Sequence, residues 1–217
     1  MDLALFDFDC TITRSDSFVP FLNFALSRRR MLFGRVVLAP LIIGYHLGFV
    51  PARRLRTAIT FVGFQGLRSK RIHELGTKFA AERIPRLLCD HAMERISWHK
   101  ERGDCVAIVS ASLNVYLAQW CKQHDVELIC SELEERRGLL TGRYRAGGDC
   151  SCEEKRRRVL NQYNVTDYQT VYAYGDSHED GPMLSLADVK FFRWKRTNRT
   201  NFDTSFAPQS KTHLNAP

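Results

Sequence analysis

Apolar positions along this chain follow two regimes that change near residue 100. Leu3 to Phe8 is a short, mostly apolar run whose end carries Asp7 and Asp9, the pattern of a buried strand. From residue 17 to residue 100 the spacing is helical instead. Phe18, Phe21, Leu22 and Ala25 share one face, and Ile72, Leu75, Phe79 and Ile84 repeat the pattern further on. No strand pattern interrupts this block, which reads as a bundle of about four helices. After residue 100, short apolar runs alternate with helical stretches. Strands are predicted at Cys105–Ser110, Val126–Cys130, Thr170–Tyr174 and Val189–Trp194, with helices at Asn114–Gln123, Glu153–Gln162 and Glu179–Leu186. Leu139–Arg145, with Thr141-Gly142, reads as part of a hairpin. Strands alternating with helices predict an α/β fold, a doubly wound parallel sheet with crossover connections. From Lys195 to Pro217 the chain is polar and aperiodic, as expected of a loose tail.

Charge sharpens this division. The whole chain of 217 residues carries a formal +8, which points to an anionic partner: nucleic acid, a phosphorylated metabolite or a membrane surface. Residues 15–100 hold 15 Lys and Arg against five Asp and Glu, a net +10. Residues 1–14 and 101–194 are net acidic, at −2 and −3. The basic excess therefore belongs to the helical block, which is expected to be a separate subdomain. Within it, Val36 to Pro51 has no Asp, Glu, Lys or Arg, and Arg28, Arg29, Arg30, Arg53, Arg54 and Arg56 flank the apolar stretch 31–50. Pro40, Gly44 and His46 interrupt it, so a membrane span is not expected. Two readings stand: a pair of short core helices with Pro40 near a helix start, or an apolar hairpin resting on an anionic membrane face.

Seven cysteines lack framework spacing, and Cys150-x-Cys152 lacks the spacing of a zinc knuckle. The first residues show no basic segment or cleavage site of a signal peptide. Free thiols in the cytoplasm are expected, with contact at the inner face of the membrane as an extension.

In an open α/β sheet, ligands bind beyond the carboxyl ends of the strands. Those ends carry Asp7-Phe8-Asp9, Ser110 and Asp176, and Lys155 opens a helix. Three carboxylates, a hydroxyl and an ammonium in one crevice suit phosphoryl chemistry. A hard cation such as Mg²⁺ takes oxygen ligands, which Asp7 and Asp176 supply. A carboxylate beside it can attack phosphorus. Asp9, expected on the same strand face as Asp7, can move the proton. Ser110 can donate to a phosphoryl oxygen and Lys155 can balance its charge. Each element taken singly is an ordinary turn or surface residue; their order and placement at strand ends is the signal.

Asp7-Phe8-Asp9-Cys10-Thr11-Ile12-Thr13 resembles the first motif of the haloacid dehalogenase-like superfamily of phosphatases. Val109-Ser110-Ala111-Ser112, Lys155 within Glu-Glu-Lys-Arg, and Gly175-Asp176 through Leu184 resemble the other three. The helical insert between the first two is similar to the cap of the phosphoserine-phosphatase-like subclass. The resemblance implies a Rossmann-like core at 1–14 and 101–194 with an inserted all-helical cap at 15–100. It implies Asp7 as nucleophile and Mg²⁺ ligand, and Asp9 as general acid/base with its backbone carbonyl on the metal. It further implies Asp176 and Asp180 at the metal, Thr11 ordering the first loop, and Thr11, Ser110, Ala111 and Lys155 around the phosphate. A Gly is usual where Cys10 stands; a side chain there is expected to narrow the loop without removing activity. Asp16 lies where phosphoserine phosphatases carry a Glu against the substrate ammonium.

The expected function is Mg²⁺-dependent hydrolysis of a small phosphorylated metabolite through an aspartyl-phosphate. Lipid-phosphate hydrolysis of the phosphatidylglycerophosphate type, phosphoryl transfer to an alcohol, and a non-catalytic anion- or nucleic-acid-binding module stand as alternatives. No nucleic-acid motif is present, and no nucleic-acid partner is expected.

Overall fold

The structure, a computed structural model, describes residues 1–145 and 147–198. The strands described are β1 (Leu3–Phe6), β2 (Cys105–Leu113), β3 (Glu127–Ser131), β4 (Leu133–Arg136), β5 (Leu139–Tyr144), β6 (Val171–Gly175), β7 (Val189–Phe192) and β8 (Lys195–Thr197). Six of them form one sheet in the order β3-β2-β1-β6-β7-β8. All neighbours run parallel except β7 and β8. This is the expected α/β architecture with one antiparallel edge. The loose tail expected from Lys195 is corrected at its start. Lys195–Thr197 turns back and pairs with β7, so that Phe191 lies opposite Arg196. The remainder from residue 199 lies outside the described residues.

Strand periodicity explains how the sheet is covered. Leu3 and Leu5 of β1 face one apolar cluster, with Val159, Val171 and Met183. Ala4 and Phe6 face the other, with Tyr116, Trp120 and Tyr174. A strand buried on both faces reads as a continuous apolar run, which is why β1 was legible. Register across the centre is fixed by an aromatic ladder. Phe6 pairs with Tyr174, and Tyr174 with Phe191. The rings stack at 4.2 Å and 4.8 Å and lie nearly parallel. Such pairs add about 0.5–1.5 kcal/mol each beyond the area they bury. A slip of one residue would turn each side chain to the opposite face.

The block between β1 and β2 is helical, as expected: α1 (Phe18–Ala25), α2 (Arg28–Val37), α3 (Ala39–His46), α4 (Ala52–Phe64), α5 (Ser69–Glu82) and α6 (Asp90–Glu101). Its last helix, α6, lies against the sheet. His99 reaches Tyr174 through a 2.9 Å hydrogen bond and meets the edge of the Phe6 ring. Pro40 sits in the first turn of α3, where its missing N–H costs nothing. The two short helices are as expected, but neither buries a residue fully, and within 31–50 Met31 alone packs against the core cluster, so they lie at its edge and not inside it. No described helix is long and apolar enough to cross a membrane.

Beyond β2 come α7 (Asn114–His124), α8 (Glu153–Gln162) and the short α9 (Gly181–Leu184). β4 and β5 form a separate antiparallel pair beside α4, completing the hairpin of which only the second strand was predicted. The helical block joins the sheet domain through an aromatic cluster. Phe21 of α1, Phe79 of α5 and Tyr116 of α7 have ring centroids within 5.4 Å of one another. Close approach there depends on Gly76 in α5. A Cβ at that position would lie 2.0 Å from the backbone oxygen of Val115. Gly76→Ala should therefore destabilise the protein by about 1–3 kcal/mol, although alanine favours helices intrinsically. Thermal or urea unfolding would show it; an unchanged or raised midpoint would mean that α5 and α7 are not pinned here.

Candidate active site

The strand order reverses between β1 and β6, and ligands of doubly wound sheets bind at such a crevice. The C-terminal ends of these two adjacent strands deliver Asp7 and Asp176 side by side. Lys155 enters from the first turn of α8, and Asp180 from the turn before α9. Lys155 Nζ lies 2.5 Å from Asp7 Oδ1 and 2.6 Å from Asp180 Oδ1. Carboxylate oxygens of Asp7, Asp176 and Asp180 lie within 4.8 Å of one another. Asp7, Asp180 and Lys155 are buried, and Asp176 is partly so.

Electrostatics follow from that crowding. Burial, then the charge of Asp180, pushes the Asp7 carboxyl well above the ordinary carboxylate range, against the pull of Lys155. Burial and Asp180 likewise raise Asp176 to about 7. Burial disfavours the Lys155 ammonium, but Asp180 and Asp7 more than offset it and hold the group charged. Three carboxylates against one ammonium leave the ionised cluster two negative charges in excess. That all-oxygen donor set fits a hard divalent cation such as Mg²⁺. Asp180 is already committed: Oδ1 takes Lys155, and Oδ2 accepts from the N–H groups of Asp176 and Ser177 and from the Ser177 hydroxyl, at 3.0–3.1 Å. Its part is therefore to orient Lys155 and the turn. Gly175 makes room for it, since a Cβ there would lie 2.6 Å from Asp180 Cβ.

The family model for haloacid dehalogenase-like hydrolases matches residues 4–185. The chain belongs to that family. Protein CicA of Caulobacter vibrioides is 29% identical over 197 residues, 88% of this chain and 85% of that protein. Solved structures sharing the fold include a protein of unknown function from Bordetella pertussis Tohama I. It has a TM-score of 0.71 and 22% identity, covering 88% of this chain and 89% of that one. They also include a phosphoserine phosphatase with an analogue of its phospho-aspartyl intermediate, at TM-score 0.60 and 18% identity over 88% and 85% of the two chains. This chain is thus a haloacid dehalogenase-like hydrolase with a phosphatase fold.

Within this haloacid dehalogenase-like frame, most of the expected residues converge, with one geometric correction. Asp9 does not continue the strand face of Asp7. β1 ends at Phe6, and the chain turns so that Ile12 and Thr13 donate to the Phe8 carbonyl at 2.9 and 3.0 Å. Asp9 instead accepts 2.7 Å from the Ser17 N–H and is gripped by the Ser112 hydroxyl. Its carboxylate stands outside the three-Asp cluster. Burial raises its pKa, and the hydrogen bonds from Ser112 and Ser17 oppose the rise. Cys10 adopts φ +60°, the left-handed conformation that glycine takes freely. Thr11 is buried; its carbonyl accepts from the Trp194 indole at 3.2 Å, and its hydroxyl has no partner among the described residues. Ser110 is buried at the bulge of β2 and accepts from the Ser112 N–H, with Ala111 half-buried beside it.

Several residues of the site were not singled out in the sequence. Ser112 stood inside a quoted motif without a task. Ser17 and Tyr116, hydroxyls 3.0 Å apart, tie the Asp9 loop to α7. Arg56 of α4 bridges to Asp149 at 2.8 Å and to Glu179 at 2.7 Å, joining the helical block to the sheet domain. In sequence it is one of the six Arg that flank 31–50, and nothing marks it for this tie.

Asp16 accepts from the Val19 N–H at the start of α1. Burial, then the charge of Asp9, raises it to about 7. Its unfolded pKa is about 4. The fold therefore favours the protonated form. That contribution is complete below about pH 4 and is lost as pH rises to about 7. Asp16→Asn, which keeps the cap acceptor, should melt with wild type at pH 4 and above it at pH 8, by up to about 4 kcal/mol, or roughly 10 °C in a chain of this size. A melting difference that does not change with pH would contradict this.

Proposed function

We propose that this hydrolase is a Mg²⁺-dependent phosphatase of small phosphomonoesters that works through an aspartyl-phosphate on Asp7. The supporting observation is the placement of Asp7 between the Lys155 ammonium and a carboxylate cluster fit for a divalent cation. Asp7 and Asp176, with the Asp9 carbonyl, are the groups that would hold the ion. When bound, Mg²⁺ supplies charge neutralisation for a phosphate dianion among carboxylates.

Lys155 holds Oδ1 of Asp7, and Oδ2 takes no hydrogen bond among the described residues. A carboxylate oxygen of Asp7 attacks phosphorus, forming an acyl-phosphate O–P bond as the ester P–O bond breaks. Asp9, whose pKa burial raises, gives a proton to the departing oxygen. Ser112 and Ser17 aim it for that task. A water then attacks phosphorus, Asp9 takes the proton of that water, and Asp7 is released with inorganic phosphate. Ser110 and Lys155 balance the charge on the phosphoryl oxygens. On the side of the helical block, Asp16, Tyr45 and Arg56 lie close enough to feel one another's charge, and would select the substrate's leaving portion.

The apolar exposure of α2 and α3 favours a second reading, a lipid phosphomonoester as substrate. Transfer to an alcohol uses the same residues as hydrolysis, and product analysis with added alcohol separates the two.

Asp7→Asn should reduce turnover to background, and chelation should abolish wild-type turnover until Mg²⁺ is restored. Asp9→Asn should slow phosphorylation of Asp7 about 100-fold or more with an alkyl phosphate, and less with a nitrophenyl phosphate, whose leaving oxygen needs no proton. Single-turnover assays of the phosphorylation step on both esters check this. Near wild-type turnover of Asp7→Asn, or equal losses for Asp9→Asn on both esters, would overturn the assigned roles.

A further inference from the structure

The hairpin α2–α3 presents an apolar face that no part of the described chain covers. Seven of the twelve exposed large apolar side chains in the described residues belong to it. Leu32, Phe33 and Val36 recur at helical spacing along α2, Ile43 and Leu47 along α3, and Phe49 follows in the turn at 81% exposure. In a helix, residues three and four apart share a face. A cluster of this kind on the surface of a globular protein marks an interaction site.

Charge identifies what it fits. Residues 17–73 contain no Asp or Glu. Arg28, Arg29, Arg35, Arg53 and Arg54 are exposed around the apolar residues, and among the described residues none of them forms a salt bridge. Elsewhere in the same block, Arg56 is paired with two carboxylates. An apolar face rimmed only by unpaired guanidinium groups is complementary to an anionic bilayer surface. Apolar side chains enter the headgroup boundary while the Arg rim meets lipid phosphates. A second copy is a poorer occupant, because mating two such faces would bring Arg rims together with no carboxylate in residues 17–73 to answer them.

We infer that α2–α3 docks this protein on anionic lipid bilayers, lying in the interface without crossing it. The same hairpin carries Tyr45, whose phenol feels the charges of Arg56, Glu179 and Asp16. Docking therefore brings this group of residues toward the lipid headgroups. The inference goes beyond the catalytic reading and does not rest on it.

The test is flotation of the full chain with phosphatidylcholine vesicles, with and without phosphatidylglycerol. The protein should float with the anionic vesicles, weakly with the neutral ones, and less at about 0.5 M salt, where the Debye length falls to a few ångströms. Phe33→Glu with Phe49→Glu should abolish flotation. Arg28→Gln with Arg29→Gln should weaken binding about fivefold for each charge removed. Both pairs lie outside the catalytic site, and unchanged hydrolysis of a soluble aryl phosphate shows that they fold; should the Phe pair fail to fold, the Arg pair carries the test. Three results would overturn the inference: wild type left at the bottom of the gradient, flotation indifferent to both pairs, or a solution dimer that Phe33→Glu with Phe49→Glu converts to monomer, which would give the face to a second copy.

Discussion

Among the described residues, Lys155 is the only ammonium among three carboxylates at the end of the central strands, and the rest of the site is arranged around that imbalance. Burying one ion pair is already expensive, because desolvation offsets the attraction between the charges. Here Asp7 and Asp180 both use Lys155, and Asp176 adds a further carboxylate within 4.8 Å. The pKa directions express the resulting tension: both Asp7 and Asp176 are pushed up, and Lys155 is held charged. Such a cluster is costly to fold, and a divalent cation bound among these oxygens would relieve it.

The scaffold meets that cost by rigid placement. The ladder of Phe6, Tyr174 and Phe191 fixes the register of β1 against β6, and so fixes Asp7 against Asp176. Asp180 is held by four hydrogen bonds, three of them from the turn it caps. Asp9 belongs to a different neighbourhood, fastened to the first turn of the helical block through Ser17 and to the sheet domain through Ser112. Any movement of the helical block relative to the sheet thus acts on Asp9 sooner than on Asp7. Arg56 makes a further tie between the two parts.

How much of this the sequence revealed depends on the range of each interaction. Strand ends are local features, so Asp7 and Asp176 could be placed from apolar runs alone. Lys155 could be placed at a helix start, but Asp180 was recognisable only from motif resemblance, because their meeting spans 25 residues in the chain. The strand-face argument for Asp9 failed because β1 stops at Phe6 and a turn, carrying a left-handed Cys10, redirects the side chain. Arg56 was invisible, since its partners lie 93 and 123 residues away and its neighbours are also Arg. For 31–50, composition left core helices and a membrane-facing hairpin open; burial decided against the core, because amphipathic spacing alone does not say whether a face finds a partner. Lys195–Thr197 was polar enough to pass for tail, as edge strands often are.

The central claim is that Asp7, held by Lys155, takes the phosphoryl group. Acid quenching during turnover of a phosphomonoester, followed by mass spectrometry of the peptides, tests it most directly. Phosphorylation of the peptide that contains Asp7, at Asp7 itself and lost in the Asp7→Asn variant, is the predicted result. Steady turnover with no phosphorylated Asp7, or with the phosphoryl group on another residue, would contradict it.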